Sequence, residues 1–97
     1  MRLVIADAAQ ADLRAIKRYS AQEWGAARGA RYMAANQVRF SALLRHPDLG
    51  PDRTDLGAAY RSLLVGGHVI FYRHDGETVE IIRVLHQRMD AKRHLPQ

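Results

Sequence analysis

Apolar and polar positions alternate from Tyr60 to His86, YRSLLVGGHVIFYRHDGETVEIIRVLH, in three runs rich in β-branched and aromatic residues divided by Gly66-Gly67 and Asp75-Gly76. Period-two alternation between dipeptides that readily adopt φ > 0 is the pattern of hairpin-linked strands, so this stretch predicts a three-stranded antiparallel meander. With two-residue loops, Val65 stands opposite His68 and His74 opposite Glu77, which also places Glu80 across from Phe71. One face then carries Arg61, Leu63, Val65, His68, Ile70, Tyr72, Val79, Ile81, Arg83 and Leu85. The other carries Tyr60, Ser62, Leu64, Val69, Phe71, Arg73, Thr78, Glu80, Ile82, Val84 and His86. Neither face is purely polar, so one is expected to pack on helices and the other to offer a partly apolar surface to a partner.

Upstream, Arg2 to Ala6 is a short β-branched run that suits a first strand. Asp7, with Gln10 three residues on, reads as the N-cap of a helix. Along that helix Ala9, Leu13, Ile16, Ser20 and Trp24 share a stripe, Arg14 and Arg18 face away, and Trp24 reads as a core or helix-corner anchor. Gly25 falls where a left-handed C-cap belongs. A second helix is predicted from Ala26 to Arg45, stopping before His46-Pro47, with Ala26, Ala30, Met33, Gln37, Phe40 and Leu44 inward. The two make an αα-hairpin. HPDLGPDRTDLG, from His46 to Gly57, is a loop in which Arg53 is placed to pair with a neighbouring aspartate, and the polar, basic tail from His86 to Gln97 is expected to fray. The whole predicts a single α+β domain over residues 1–97: an N-terminal strand, an αα-hairpin, and a three-stranded antiparallel meander with the helices packed on the sheet.

A length of 97 residues suits one two-layer core and leaves no room for a separate catalytic domain. The formal net charge of +5 favours acidic partners, whether nucleic acid, an acidic protein segment or an anionic surface. Much of it lies on the helices, where Arg14, Lys17, Arg18, Arg28, Arg31, Arg39 and Arg45 face only Glu23. Such a run reads either as a solvated face or as an electrostatic dock for an acidic segment. The chain has no cysteine, no signal-like leader and no apolar run long enough for a membrane span, which predicts a soluble cytoplasmic protein.

Conventional site motifs are missing. His46, His68, His74, His86 and His94 have no metal-ligand spacing, Gly66-Gly67 joins two strands and does not open a helix, and no serine sits in a nucleophile elbow. No metal or cofactor is expected. What remains is Arg61, Tyr72, Arg83, His86, Arg88 and Asp90, a set that could cleave RNA without metal if a histidine moved the 2′-hydroxyl proton while arginines steadied the phosphorane. The plainer reading makes Arg83 and Asp90 structural partners and the rest rim residues.

The element order, together with Tyr19…Trp24-Gly25, Pro47…Gly50, Gly67-His68-Val69-Ile70-Phe71-Tyr72-Arg73 and Ile82-Arg83-Val84-Leu85-His86…Met89-Asp90, resembles the ParE branch of the RelE/ParE toxin superfamily over almost the whole chain. The resemblance implies the toxin of a type II toxin–antitoxin module that contributes to plasmid stabilisation and poisons DNA gyrase without being an enzyme. A ParD-type antitoxin, a ribbon-helix-helix dimer, would neutralise it by laying its C-terminal segment on the toxin in a heterotetramer or larger assembly. On this reading Arg83, His86, Arg88, Asp90, Lys92 and Arg93 are candidates for target contact, and Arg14, Arg18, Arg31, Arg39, Arg61 and Tyr72 for antitoxin contact. The RelE branch instead cuts messenger RNA on the ribosome. Its strand cations fall here at Tyr60, Ser62 and Val69, and near the C-terminus only Arg88 matches, with His94 near the place of a tyrosine. Each missing transition-state donor would cost on the order of 10² to 10³ in rate, so the pattern favours ParE. The alternative is a ribosome-dependent endoribonuclease centred on Arg83, His86 and Arg88.

Overall fold

The computed structural model describes residues 1–96. The β-branched run at the start forms β1 (Arg2–Ile5), followed by α1 (Asp7–Trp24), α2 (Ala26–Arg45), β2 (Arg61–Val65), β3 (His68–His74), β4 (Thr78–His86) and the short α3 (Ala91–His94). The sheet order is β1-β4-β3-β2, with β1 parallel to β4 and the other pairs antiparallel. The predicted α+β architecture is the one observed, with the αα-hairpin on one sheet face.

Two expectations shift along the helices. The N-cap of α1 is Ala6, without a side-chain cap, and Asp7 lies in the first turn, where its carboxylate meets the positive end of the helix dipole. Gln10 reaches back, donating from Nε2 to the Ile5 carbonyl at 2.9 Å. Along α2 the buried stripe is Gly29, Asn36, Phe40 and Leu43, while Ala26, Ala30 and Gln37 are exposed. Periodicity allowed either stripe. A tertiary contact selects one: a Cβ on Gly29 would lie 3.1 Å from the Ala21 nitrogen, so this is where the helices close on each other.

The first hairpin has the predicted register, Val65 opposite His68. A Cβ on Gly66 would meet Tyr32 Cε1 at 2.6 Å, and the residue's φ is 56°, so both conformation and space demand glycine there. The second hairpin differs from expectation. His74 pairs with Val79, because the Asp75 carboxylate accepts from the Glu77 and Thr78 amides and builds a longer turn. Arg73 therefore lies opposite Glu80, with which it forms an ion pair at 3.9 Å.

Further along, Phe71 pairs with Arg83 and Tyr72 with Ile81, leaving Ile82 as the extra residue of a bulge. The bulge resets the alternation. Val79, Ile81 and Val84 pack with Ile70, Tyr72, Phe40 and Leu43 under the helices, whereas Ile82 and Leu85 pack on the opposite face with Phe71. The expected faces of Arg83, Val84, Leu85 and His86 are thus exchanged.

The second sheet face is also not left for a partner as expected. Leu56 and Tyr60 from the loop and Leu95 from the tail cover it over Phe71, Ile82 and Leu85, and the Tyr60 hydroxyl donates to the Pro96 carbonyl at 3.0 Å. The described part of the tail is tied down, not frayed; Gln97 lies outside the described residues.

Candidate functional site

Beside the turn that joins α1 to α2, Ala15, Ile16 and Tyr19 of α1, Trp24, Tyr32 of α2, Gly66-Gly67, His68 and His86 enclose a cleft of about 570 Å³. Trp24 was expected as a core or helix-corner anchor, and it stands at the corner, outside the core. It is 43 % exposed and Tyr19 57 %, because Trp24 stands between two aromatic neighbours and not beneath the sheet. Its ring makes edge-on contacts with Tyr19 at 6.3 Å and with Tyr32 at 5.7 Å. Tyr32 makes a tilted contact with His68, and His68 meets His86 edge-on, with 5.5 Å between centroids in each case. The cleft wall is a continuous aromatic row.

Hydrogen bonds set the protonation of that row. Tyr32 Oη donates to the Val65 carbonyl at 3.0 Å and also meets His68 Nδ1. Since a carbonyl can only accept, the single hydroxyl proton is committed to Val65, so His68 donates from Nδ1 and keeps its lone pair on Nε2. His86 Nδ1 accepts from the Arg88 amide at 3.1 Å, which places the proton of the neutral ring on Nε2. Burial raises the Tyr32 pKa, opposed by a backbone hydrogen bond from Gly67. The His68 pKa lies below its ordinary 6.5, first because burial disfavours the cation and then because His86 is a like charge nearby, with Asp12 opposing.

A pH dependence follows. The unfolded chain binds a proton at His68 more readily than the folded chain, so the stabilisation from neutral His68 is complete above pH 6.5 and is lost as pH falls from there toward the depressed folded value. Thermal melts at pH 7.5 and 5.5 should show a larger acid-induced drop in the parent than in His68→Asn, whose Nδ2 can still donate to Tyr32. Equal drops would remove His68 as the source.

The sequence-derived candidates fall into separate places. Arg61 Nη2 pairs with Asp48 at 3.3 Å and Asp52 at 3.5 Å, while Nη1 donates to the Gly50 carbonyl at 2.7 Å. Tyr72, expected to face a partner, is fully buried; its hydroxyl donates to the Pro47 carbonyl at 2.7 Å and accepts from the Gly50 amide at 2.9 Å. No Tyr72 surface is left for a partner, because the hydroxyl fastens the loop from His46 to Gly57. Arg53 pairs with Asp55 at 3.0 Å, as its neighbours suggested.

Arg83 pairs with Asp12, not with Asp90, donating from Nε at 2.7 Å and from Nη2 at 2.8 Å. Asp90 instead caps α3 through the Lys92 amide and pairs with Arg93 at 3.6 Å. His86 lines the cleft, and Arg88, Lys92 and Arg93 are exposed beyond it. The set Arg61, Tyr72, Arg83, His86, Arg88 and Asp90 therefore does not converge on one centre. No group of three or more metal-ligating side chains occurs among the described residues.

On the helices, Arg14, Arg18, Arg31 and Arg39 are exposed, and among the described residues none of them has an ion-pair partner. Sequence reasoning missed Tyr32 and His68 as site residues. Their contact across 36 positions depends on the α2 and β3 placements, although Tyr19…Trp24-Gly25 beside a second glycine turn did mark the neighbourhood.

A strand, an αα-hairpin and a meander bearing the hairpin on one face make up the RelE/ParE-like class of α+β toxin folds. A chain described as "Chromosomal ParDE TA system from P. aeruginosa" superposes with a TM-score of 0.76 at 20 % identity, covering 89 % of this chain and 95 % of that one. A "YoeB/ParE toxin from Agrobacterium tumefaciens" gives 0.64 at 21 % identity, with 90 % and 99 % covered. The family model described as ParE toxin of type II toxin-antitoxin system, parDE, matches residues 3–91. "Toxin ParE1" of Caulobacter vibrioides is 46 % identical over 90 % of each chain, and "Toxin ParE1" of Mycobacterium tuberculosis 36 % identical over 97 % of each. The chain belongs to the ParE toxin family of type II toxin–antitoxin systems. Among the described residues no helix is long and apolar enough to cross a membrane.

Proposed function

We propose that this ParE-family toxin acts in the cytoplasm by binding DNA gyrase, not by catalysis, and that a ParD-type ribbon-helix-helix antitoxin neutralises it in a heterotetramer or larger complex. The observation that carries the non-catalytic reading is the separation of the cations an RNA-cleaving centre would need. Arg61 is held under the loop by two aspartates and Arg83 against α1 by Asp12, while Tyr60, Ser62 and Val69 occupy the strand positions where the RelE branch has its cations. Without converging donors, the charge developing on a pentavalent phosphate goes unstabilised. Gyrase as the target follows from family resemblance.

The target surface on this reading is the exposed C-terminal stretch with Arg88, Lys92 and Arg93, shaped by Asp90 and bordered by His86 and Arg83. The antitoxin surface is the helix face with Arg14, Arg18, Arg31 and Arg39. Titrating the antitoxin-free, refolded toxin into a supercoiling assay that also scores linear plasmid should abolish supercoiling or trap cleavage near stoichiometry. The Arg88→Ala/Arg93→Ala double variant should need about tenfold more protein. Folded, toxic protein that leaves gyrase untouched would sink the target. New cuts in ribosome-bound message that vanish in Arg88→Ala would replace it with RNA cleavage.

A further inference from the structure

Two sets of cations contrast in their pairing. Arg53, Arg61, Arg73, Arg83 and Arg93 each have a carboxylate within 4 Å, at distances from 2.7 to 3.9 Å. Among the described residues, Arg14, Lys17, Arg18, Arg28 and Arg31 on the helices have none. Arg28 and Arg31 lie next to the aromatic cleft. Arg28 and Arg31 line a hollow on the other side of Trp24 and Tyr32, with Arg28 Cζ 6.0 Å from the Trp24 ring centroid, and Arg18 precedes Tyr19 on α1.

The cleft itself is apolar at its base, through Ala15 and Ile16, and aromatic along its wall. Its volume of about 570 Å³ lies within the range of ~300–1,000 Å³ usual for sites that enclose a ligand group. His68 Nε2 supplies one acceptor, and His86 Nε2–H one donor. Gly67 keeps the rim low, since a Cβ there would find only His86 Nε2, at 3.9 Å. Exposed aromatics already held by edge-on neighbours lose little freedom when covered, which is what a binding anchor requires.

We propose that this cleft receives one large apolar or aromatic side chain of an acidic peptide segment whose Asp and Glu residues lie over Arg18, Arg28 and Arg31. The occupant is the neutralising antitoxin, so the inference rests on the antitoxin reading above and adds the anchor pocket to it. Charge complementarity selects the occupant: a second copy of this +5 chain would bring cations against cations.

The test labels the toxin with 5-fluorotryptophan, which reports on Trp24 alone because the chain has one tryptophan, and adds the unlabelled co-encoded antitoxin. The ¹⁹F resonance should move and lose its solvent-isotope shift. Gly67→Leu, which fills the cleft, should weaken binding about 30-fold, and Arg28→Glu/Arg31→Glu about tenfold with a flatter salt dependence. A complex that forms with the Trp24 resonance unmoved and the Gly67→Leu affinity unchanged overturns the anchor pocket while the antitoxin reading stands. No complex from folded partners overturns both. A resonance that moves with a single-stranded RNA oligonucleotide but not with antitoxin overturns the peptide in favour of nucleic acid. The wild-type measurement does not depend on any variant folding.

Discussion

Asp12→Ala is expected to lower folding stability by about 2–4 kcal/mol, because the partly buried Arg83 guanidinium loses its carboxylate and the Val84 amide its acceptor. For a domain of this size the melting midpoint should fall by on the order of 10–30 °C. The reason lies in the sheet edge. β1 is only four residues long, and its contact with β4 ends where the Ala6 amide donates to the Ile81 carbonyl at 2.9 Å. From Val84 onward β4 would present an unpaired amide to the interior. Asp12, on the second turn of α1, takes its place: Oδ2 accepts from the Val84 amide at 2.9 Å while both carboxylate oxygens hold the Arg83 guanidinium.

The Asp12 side chain is 14 % exposed and that of Arg83 20 %, so solvent screens this pair only weakly. The Asp12 hydrogen bond also raises the Arg83 pKa above its ordinary value. Asp12→Asn should cost less, since its carbonyl can still accept from Val84. Chemical denaturation of the parent and both variants decides the matter; an Asp12→Ala loss under 1 kcal/mol would show the edge to be held by something else. Arg83→Ala disturbs the same fastening, so loss of toxicity in that variant speaks for a target contact only if its melting midpoint is preserved.

The second large effect is expected at Gly50. A Cβ there would stand 2.4 Å from the Ser62 carbonyl oxygen and 2.8 Å from the Tyr72 hydroxyl. Neither neighbour can yield freely: Ser62 lies in a paired strand, and the Tyr72 hydroxyl is committed to Pro47 and Gly50. Gly50→Ala should therefore destabilise by about 2–4 kcal/mol, combining overpacking with weakened loop hydrogen bonds. Tyr72→Phe alone should cost about 1–3 kcal/mol by leaving buried loop groups unmatched. The double variant should cost less than the sum, because removing the hydroxyl removes one of three close contacts, leaving those with the Ser62 carbonyl oxygen and with the ring Cε1 at 2.9 Å. Strict additivity in denaturant melts would mean that the two residues do not share the site. The same loop shields β2, whose Ser62 amide donates to the Pro51 carbonyl at 3.2 Å, so a loosened loop would also bare a strand edge.

How much of this was legible beforehand differs from element to element. The end of α2 at Arg45, the Gly66-Gly67 turn and the strand–hairpin–meander order stand as read, because each depends on local steric rules that apply wherever the chain lies. The resemblance carried by Tyr19…Trp24-Gly25 and the Gly67–Arg73 run pointed to the family that the family model and the relatives bear out. The sites were less legible. Arg83 looked like a target contact and Tyr72 like an antitoxin contact, yet one is tied to Asp12 and the other buried under Gly50.

What the sequence by itself determined is therefore the first strand, the two long helices and the meander, their order and the excess of positive charge, since period, turn chemistry and charge are properties of neighbouring residues; the short α3 in the tail was not among them. What only the tertiary structure decided is which residues meet. A single extra residue at Ile82 exchanges the faces of everything after it and carries His86 to His68. Nothing in a local pattern encodes that register, because it is set by how the whole of β4 packs between the helix core and the loop-and-tail core on its two faces.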